Sequence, residues 1–257
     1  MSPILAALFC ITALLYASVG FGGGSTYNAL LVLNGTDYRV LPSLALICNI
    51  IVVAGSCWRF HRGGLLPWRG MAPFLVTSIP AAFIGGRLVV SETLFVGLLG
   101  FALLIAGIRL VFQPNTEIGA PVPASGMQPI PYLVGAGIGL LSGMVGIGGG
   151  IFLAPVLYFL RWDTPRRIAA ACSLFILVNS LSGLTGQILK LHDLDIVPAL
   201  TPYWALFPAV LIGGQIGSWL ASARLEPGLI KRATAILILY VAVRLIYRWL
   251  TMIGWLG

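Results

Sequence analysis

Of the 257 residues, 59% are hydrophobic and 9% charged, with a mean hydropathy of +1.01, whereas soluble domains carry about a quarter charged residues. The chain is therefore expected in a membrane, which excludes a water-soluble globule. The net charge of +8 lies mainly in short connections between apolar stretches, where positive-inside bias puts it, and not in one nucleic-acid-binding stripe.

The first apolar stretch, residues 1–19, lacks the basic start of a secretory signal, and a similar stretch at 130–145 stands in the second half of the chain, so it is kept in the fold. Then comes Gly20-Phe-Gly-Gly-Gly-Ser25, which recurs 126 residues later as Gly146-Ile-Gly-Gly-Gly-Ile151. Glycine runs inside would-be membrane helices leave backbone N–H and C=O groups that lipid cannot satisfy, so such turns must be buried in protein or line an aqueous cavity. Around them lie short apolar pieces, 3–19 with 25–33 and 130–145 with 151–160, each pair reading as a broken helix or hairpin. Windows of about 20 apolar residues predict six full spans at 41–58, 71–90, 93–112, 168–189, 199–221 and 228–250.

Three anchors recur in order: the glycine turns, Pro80-Ala-Ala-Phe-Ile-Gly-Gly86 against Pro208-Ala-Val-Leu-Ile-Gly-Gly214, and Arg109-Leu-Val-Phe112 against Arg244-Leu-Ile-Tyr247. This is the signature of an internal duplication. It divides the chain into a first transmembrane repeat (1–113), a Pro- and Gly-rich linker (114–128) and a second repeat (129–257). If each glycine turn is the tip of a hairpin, ten basic residues share one face (Arg59, Arg62, Arg69, Arg109, Arg161, Arg166, Arg167, Arg224, Lys231 and Arg232) and five the other (Arg39, Arg87, Lys190, Arg244 and Arg248). That uneven split favours an all-α polytopic fold of two inverted repeats, each a glycine-broken helical hairpin plus three transmembrane helices, with both termini outside the cytoplasmic membrane.

Glycines that reach positive φ let successive N–H groups converge on an anion, and the helices that follow add N-terminal partial charge. The candidate substrate-binding residues are therefore Gly22, Gly23, Gly24, Ser25 and Thr26 in the first half and Gly148, Gly149 and Gly150 in the second. Asn49 and Asn179, at comparable depths, join them because an amide donates two hydrogen bonds without adding charge. The competing reading of the glycines is close helix packing, and of the polar side chains, bridging between helices. All seven acids fall in connections or at span ends, which argues against a cation carrier or a carboxylate proton relay. Arg87, Arg109 and Arg244 near helix ends are candidate gates.

An enzyme is not expected, since Ser142-Gly143 and Ser182-Gly183 have no base nearby and His61 and His192 lie in connections. Cys10, Cys48, Cys57 and Cys172 show no metal or disulfide spacing, and no phosphate-binding GxxxxGK[ST] loop is present, so no metal or cofactor is expected.

The segment Gly146-Ile-Gly-Gly-Gly-Ile-Phe-Leu-Ala-Pro-Val-Leu157, with the duplicated layout, resembles the TauE/SafE family of sulfite and organosulfonate exporters. The first copy departs from the pattern, with Ala29 where the second has Pro155, and Ser25-Thr-Tyr-Asn28 is more polar than Ile151-Phe-Leu-Ala154. The resemblance implies a secondary transporter that exports a small sulfur-containing or organic anion by alternating access. A passive anion channel, or a subunit relaying sulfur species through Cys48 or Cys172, are the alternatives. The expected partners are a small anionic substrate and the bilayer, with a homodimer as one oligomeric option and no nucleic acid.

Overall fold

The computed structural model describes residues 2–18, 20–112, 129–220 and 227–255, and among them there is no strand. The expected linker, with Glu117, lies outside the described residues, as do Arg224 and Glu226. Among the described residues ten α-helices follow one another: α1 (Pro3–Ser18), α2 (Gly24–Leu33), α3 (Leu41–Arg62), α4 (Trp68–Arg87), α5 (Glu92–Phe112), α6 (Ile130–Val145), α7 (Gly150–Phe159), α8 (Pro165–Asp193), α9 (Leu206–Leu220) and α10 (Pro227–Met252). A short 3-10 segment, Val197–Tyr203, precedes α9.

Three described helices are long and apolar enough to cross a membrane: α3, α5 over Glu92–Arg109, and α8 over Arg166–Asp193. A fourth is reached if the 3-10 segment and α9, bent by 57° at their junction, form one span. This is fewer than the six expected. The window at 199–221 breaks because Pro202 interrupts it and Pro208 follows, each proline removing a helical donor. α4 carries Pro73, Pro80, Gly85 and Gly86, which dilute its hydropathy. In α10 the side chains at 227–235 lie outside the description.

Hydrocarbon gives no hydrophobic drive for one apolar helix to pack on another, so association rests on close contact at small residues. Along α6, Gly135, Gly139 and Gly143 lie against Phe74, Ser78 and Ala82 of α4, so the two helices run in the same direction. Gly213 and Gly217 of α9 lie against Cys10 and Leu14 of α1, again in the same direction. α5 and α10 run oppositely, with Gly107, Gly100 and Gly97 against Leu239, Ile246 and Trp249. At the first glycine turn the chain doubles back: Tyr16 Oη and Thr26 Oγ1 are 2.9 Å apart, and the rings of Phe9 and Tyr27 stack at 4.7 Å.

Charge stays at the helix ends. Arg87 pairs with Asp193 and Arg248 with Glu92, each at 2.5 Å, while Arg167 pairs with Asp163 at 3.2 Å. Among the described residues the one buried charged side chain is Lys190. Large apolar side chains such as Ile4, Ile11, Val76, Leu133 and Ile212 are exposed, as a lipid-facing surface requires.

The glycine seams give a stability test. A β-carbon at Gly143 would run into the carbonyl of Ala82 and one at Gly217 into that of Leu14, whereas one at Gly137 meets nothing within 4 Å. Gly143→Val and Gly217→Val should each destabilise the detergent-solubilised protein by about 1–3 kcal/mol or more, the usual penalty of overpacking. Gly137→Val should melt like wild type; equal melting temperatures for all three would refute this packing.

Candidate transport site

The two glycine turns meet. They do so because each precedes a short helix whose entry into the protein requires a left-handed residue, Gly23 (φ 88°) before α2 and Gly149 (φ 79°) before α7. A side chain would strain either position. Gly24 faces the second turn so closely that a β-carbon there would sit 2.7 Å from the Ile147 carbonyl oxygen.

Between the turns stands Asn49 of α3. A β-carbon on Gly24 would lie 2.5 Å from its Nδ2 and one on Gly148 2.8 Å from the same atom, while one on Gly22 would collide with its Oδ1. Only glycine at all three positions leaves room for the amide. Asn49 is fully buried, and among the described residues neither its Nδ2 nor its Oδ1 has a hydrogen-bond partner. Unpaired amide atoms in a low-dielectric interior are costly, and a well-evolved fold keeps them where a solute or ordered water completes them.

Backbone groups add to this. Among the described residues no acceptor is found for the N–H of Gly22, Gly23, Ile147, Gly148 or Gly149. The first turns of α2 and α7 also leave N–H groups free by the geometry of any helix start. Their dipoles favour negative charge at the junction. The carbonyl oxygens of Gly146 and Ile147 line the Gly24 side, so the site has an acceptor edge as well as donors.

Each turn is held by the other half of the chain. Ser173 of α8 donates to the Gly20 carbonyl, and Asn28 of α2 donates from Nδ2 to the Val145 carbonyl at 2.9 Å. A movement of one half relative to the other must therefore reshape both turns.

The structure sorts the expected site residues. Gly22, Gly24, Gly148 and Asn49 converge on one point, whereas Gly23 faces Thr12 and Tyr16, and Gly149 faces Ile138 and Phe175. Gly150 packs on Ile176. Ser25 and Thr26 are buried at the start of α2, with Thr26 engaged by Tyr16. The gate candidates lie apart in kind: Arg87 is paired with Asp193, and Arg109 and Arg244 are exposed.

Asn179 is not the counterpart of Asn49. Its Nδ2 donates to the Phe175 carbonyl of its own helix at 2.8 Å. The equivalent place belongs to Ile176, which approaches Gly148 and Gly150 of its own half and Gly22 of the other, as Asn49 approaches Gly22, Gly24 and Gly148. The 126-residue spacing of the two glycine runs carries Asn49 to residue 175, one short of Ile176, so the sequence itself held this signal. Ser180, one turn beyond Ile176, is a membrane-depth hydroxyl that the sequence reads as a bridge between helices and not as a site residue; its buried Oγ has no partner among the described residues and would lie 3.3 Å from a β-carbon on Gly148. The site is thus polar on the α3 side and apolar at Ile176.

The profile of the family described as sulfite exporter TauE/SafE matches residues 4–245. The chain belongs to the TauE/SafE family. Among its TauE/SafE-like relatives, a probable membrane transporter protein of Sinorhizobium fredii is 31% identical over 245 residues, 95% of this chain and 97% of its own length. Probable membrane transporter proteins of Haemophilus influenzae and Methanocaldococcus jannaschii are each 25% identical, the first over 88% of this chain and 90% of its own length, the second over 72% of both. No solved structure matches this TauE/SafE chain. Family and relatives together make it a membrane transporter.

Replacing Asn49 by leucine removes two unpaired polar atoms at similar volume. If the amide is kept for solute and not for folding, Asn49→Leu should be as stable as wild type or more so, by about 1–3 kcal/mol, the price of a buried unsatisfied group. A clearly lower melting temperature in detergent would mean that the amide already has structural partners.

Proposed function

We propose that this TauE/SafE transporter carries a small sulfur-containing or organic anion, of the sulfite and sulfonate class, out across the cytoplasmic membrane by alternating access. The observation that carries the reading is the convergence of Gly22, Gly24 and Gly148 on the partnerless amide of Asn49. Donor groups without an ionised side chain suit a solute that must be released as readily as it is bound. Among the described residues no carboxylate is buried, which suits an anion better than a cation. The description of the family, sulfite exporter, points the same way.

The mechanism needs two arrangements of the halves around one site. We read the chain as inverted repeats, each a hairpin plus three crossings. Supporting this, α1 is parallel to α9 and α6 to α4, and α4 leads from the end bearing Arg69 to the end where Arg87 meets Asp193. On that reading α1 enters from one side and α6 from the other, so the turns approach mid-membrane from opposite faces. The end with Arg59, Arg62 and Arg69, where Gly70 abuts Trp162, faces the cytoplasm, and both termini lie outside. Rocking one half against the other, with Ser173 and Asn28 tying each turn to the opposite half, opens the junction to alternate sides. An inside-negative potential drives a free anion outward with about 2.3 kcal/mol per charge per 100 mV.

Purified protein in liposomes should show saturable, counterflow-competent flux of sulfite or a small sulfonate, accelerated by an inside-negative potential. Gly148→Ala, strained at φ 81° and crowding Asn49, should reduce that flux by about tenfold or more, a loss equivalent to roughly 1.4 kcal/mol in the barrier. Non-saturable flux would make the protein a channel, and unaltered flux in Gly148→Ala would move the solute elsewhere.

A further inference from the structure

A cavity of about 190 Å³ opens at the end of the molecule where α3 begins and α8 ends, lined by Tyr38, Arg39, Pro42, Val89, Val90, Phe95, Lys190 and Leu194. Its chemistry is uneven. Lys190 is 7% exposed, and among the described residues no carboxylate lies within ion-pairing distance of it. Of the acids in the flanking segments, Asp193 is engaged by Arg87 and Glu92 by Arg248, Asp37 lies 3.9 Å from Arg39, and Asp195 is exposed. The remaining wall is apolar apart from the Tyr38 hydroxyl and Arg39. A buried ammonium without a counter-ion is costly in a membrane protein and is kept where an anion visits.

The cavity adjoins the glycine junction. Pro42 forms part of its wall, and a β-carbon on Gly146 would lie 2.5 Å from the Pro42 α-carbon. On α8, Lys190, Gln187, Gly183, Ser180 and Ile176 recur at helical spacing and share one face. Gln187 Oε1 is buried there without a partner among the described residues. From Lys190 to Ser180 the helix rises by roughly 15 Å. Along the facing helix, Pro42, Leu46 and Asn49 form the matching stripe, with Leu46 against Gly183.

We propose that this cavity is a second anion site, which takes an organic anion with its sulfonate or carboxylate head on Lys190 and Arg39 and its short apolar stem against Val90, Phe95 and Pro42. It serves as the station between the central junction and the outer side, and to that extent rests on the transport reading above. The apolar walls favour an anion that carries a stem: an alkylsulfonate fits both halves of the cavity, inorganic sulfite only one.

The test is calorimetric binding of 1-propanesulfonate and of sulfite to the full-length protein in neutral detergent, with flux in liposomes measured separately. Propanesulfonate should bind more tightly than sulfite. Lys190→Met should weaken its binding by about tenfold or more, as expected for loss of a charge-assisted contact, while Lys190→Arg retains most of it. Val90→Trp, which fills the cavity from an apolar lining residue, should weaken it comparably with every charge in place. Unchanged propanesulfonate affinity in both Lys190→Met and Val90→Trp would overturn the site and leave the transport reading standing. Lys190-dependent binding in a protein that moves no anion would support the site and overturn the transport reading. Binding displaced by phosphatidylglycerol but not by free sulfonate would assign the cavity to a lipid headgroup and overturn the proposal.

Discussion

The constraint on which this structure depends is that backbone polar groups at membrane depth must find partners inside the protein. Two glycine turns break otherwise apolar segments, and together they bare a set of N–H groups that lipid cannot satisfy. The fold answers by placing the turns against each other, burying both beneath α3 and α8, and fastening each to the opposite half through Ser173 and Asn28. At the junction it leaves a cluster of donors and acceptors without partners among the described residues, the two polar atoms of the Asn49 amide and the N–H groups around it.

That concentration explains why the glycines are fixed more tightly than helix packing alone requires. A packing notch needs one small residue facing a neighbouring helix, as Gly137's neighbours on α6 show along α4. Gly22, Gly24 and Gly148 instead surround a polar side chain that a single methyl group at any of them would displace. The same geometry makes the site asymmetric. Asn49 and Ile176 take matching places against the glycine turns, so one wall offers hydrogen bonds and the other apolar surface, and the polar start of α2 against the apolar start of α7 repeats the difference.

Much of this was legible in the sequence. The short helices flanking the turns were expected at 3–19, 25–33, 130–145 and 151–160, and the structure forms them at Pro3–Ser18, Gly24–Leu33, Ile130–Val145 and Gly150–Phe159. Three consecutive glycines, unlike the single or paired ones that stand inside α4, α5, α6 and α9, mark the break directly. The helix at 199–221 was not legible as broken, because its hydropathy stays high through Pro202 and Pro208 and only the bend reveals the interruption. The pairing of Asn49 with Asn179 failed for a different reason. Chemical likeness suggested it, but Asn179 spends its Nδ2 on the Phe175 carbonyl of its own helix, and it is Ile176 that approaches Gly22, Gly148 and Gly150. Ser180 and Lys190 carried no local motif. Their part in the seam on α8 depends on long-range contacts that sequence periodicity alone does not assign.

The central claim is that backbone amides of the two turns, with Asn49, hold the anion. Solid-state NMR of protein labelled with ¹⁵N-glycine and ¹⁵N-asparagine in lipid bilayers reads those atoms directly. Titrating a transported anion should shift the backbone resonances of Gly22, Gly24 and Gly148 and the Asn49 side-chain resonance together, along one saturation curve that matches the concentration dependence of flux. Saturated flux with all four resonances unmoved would contradict the account.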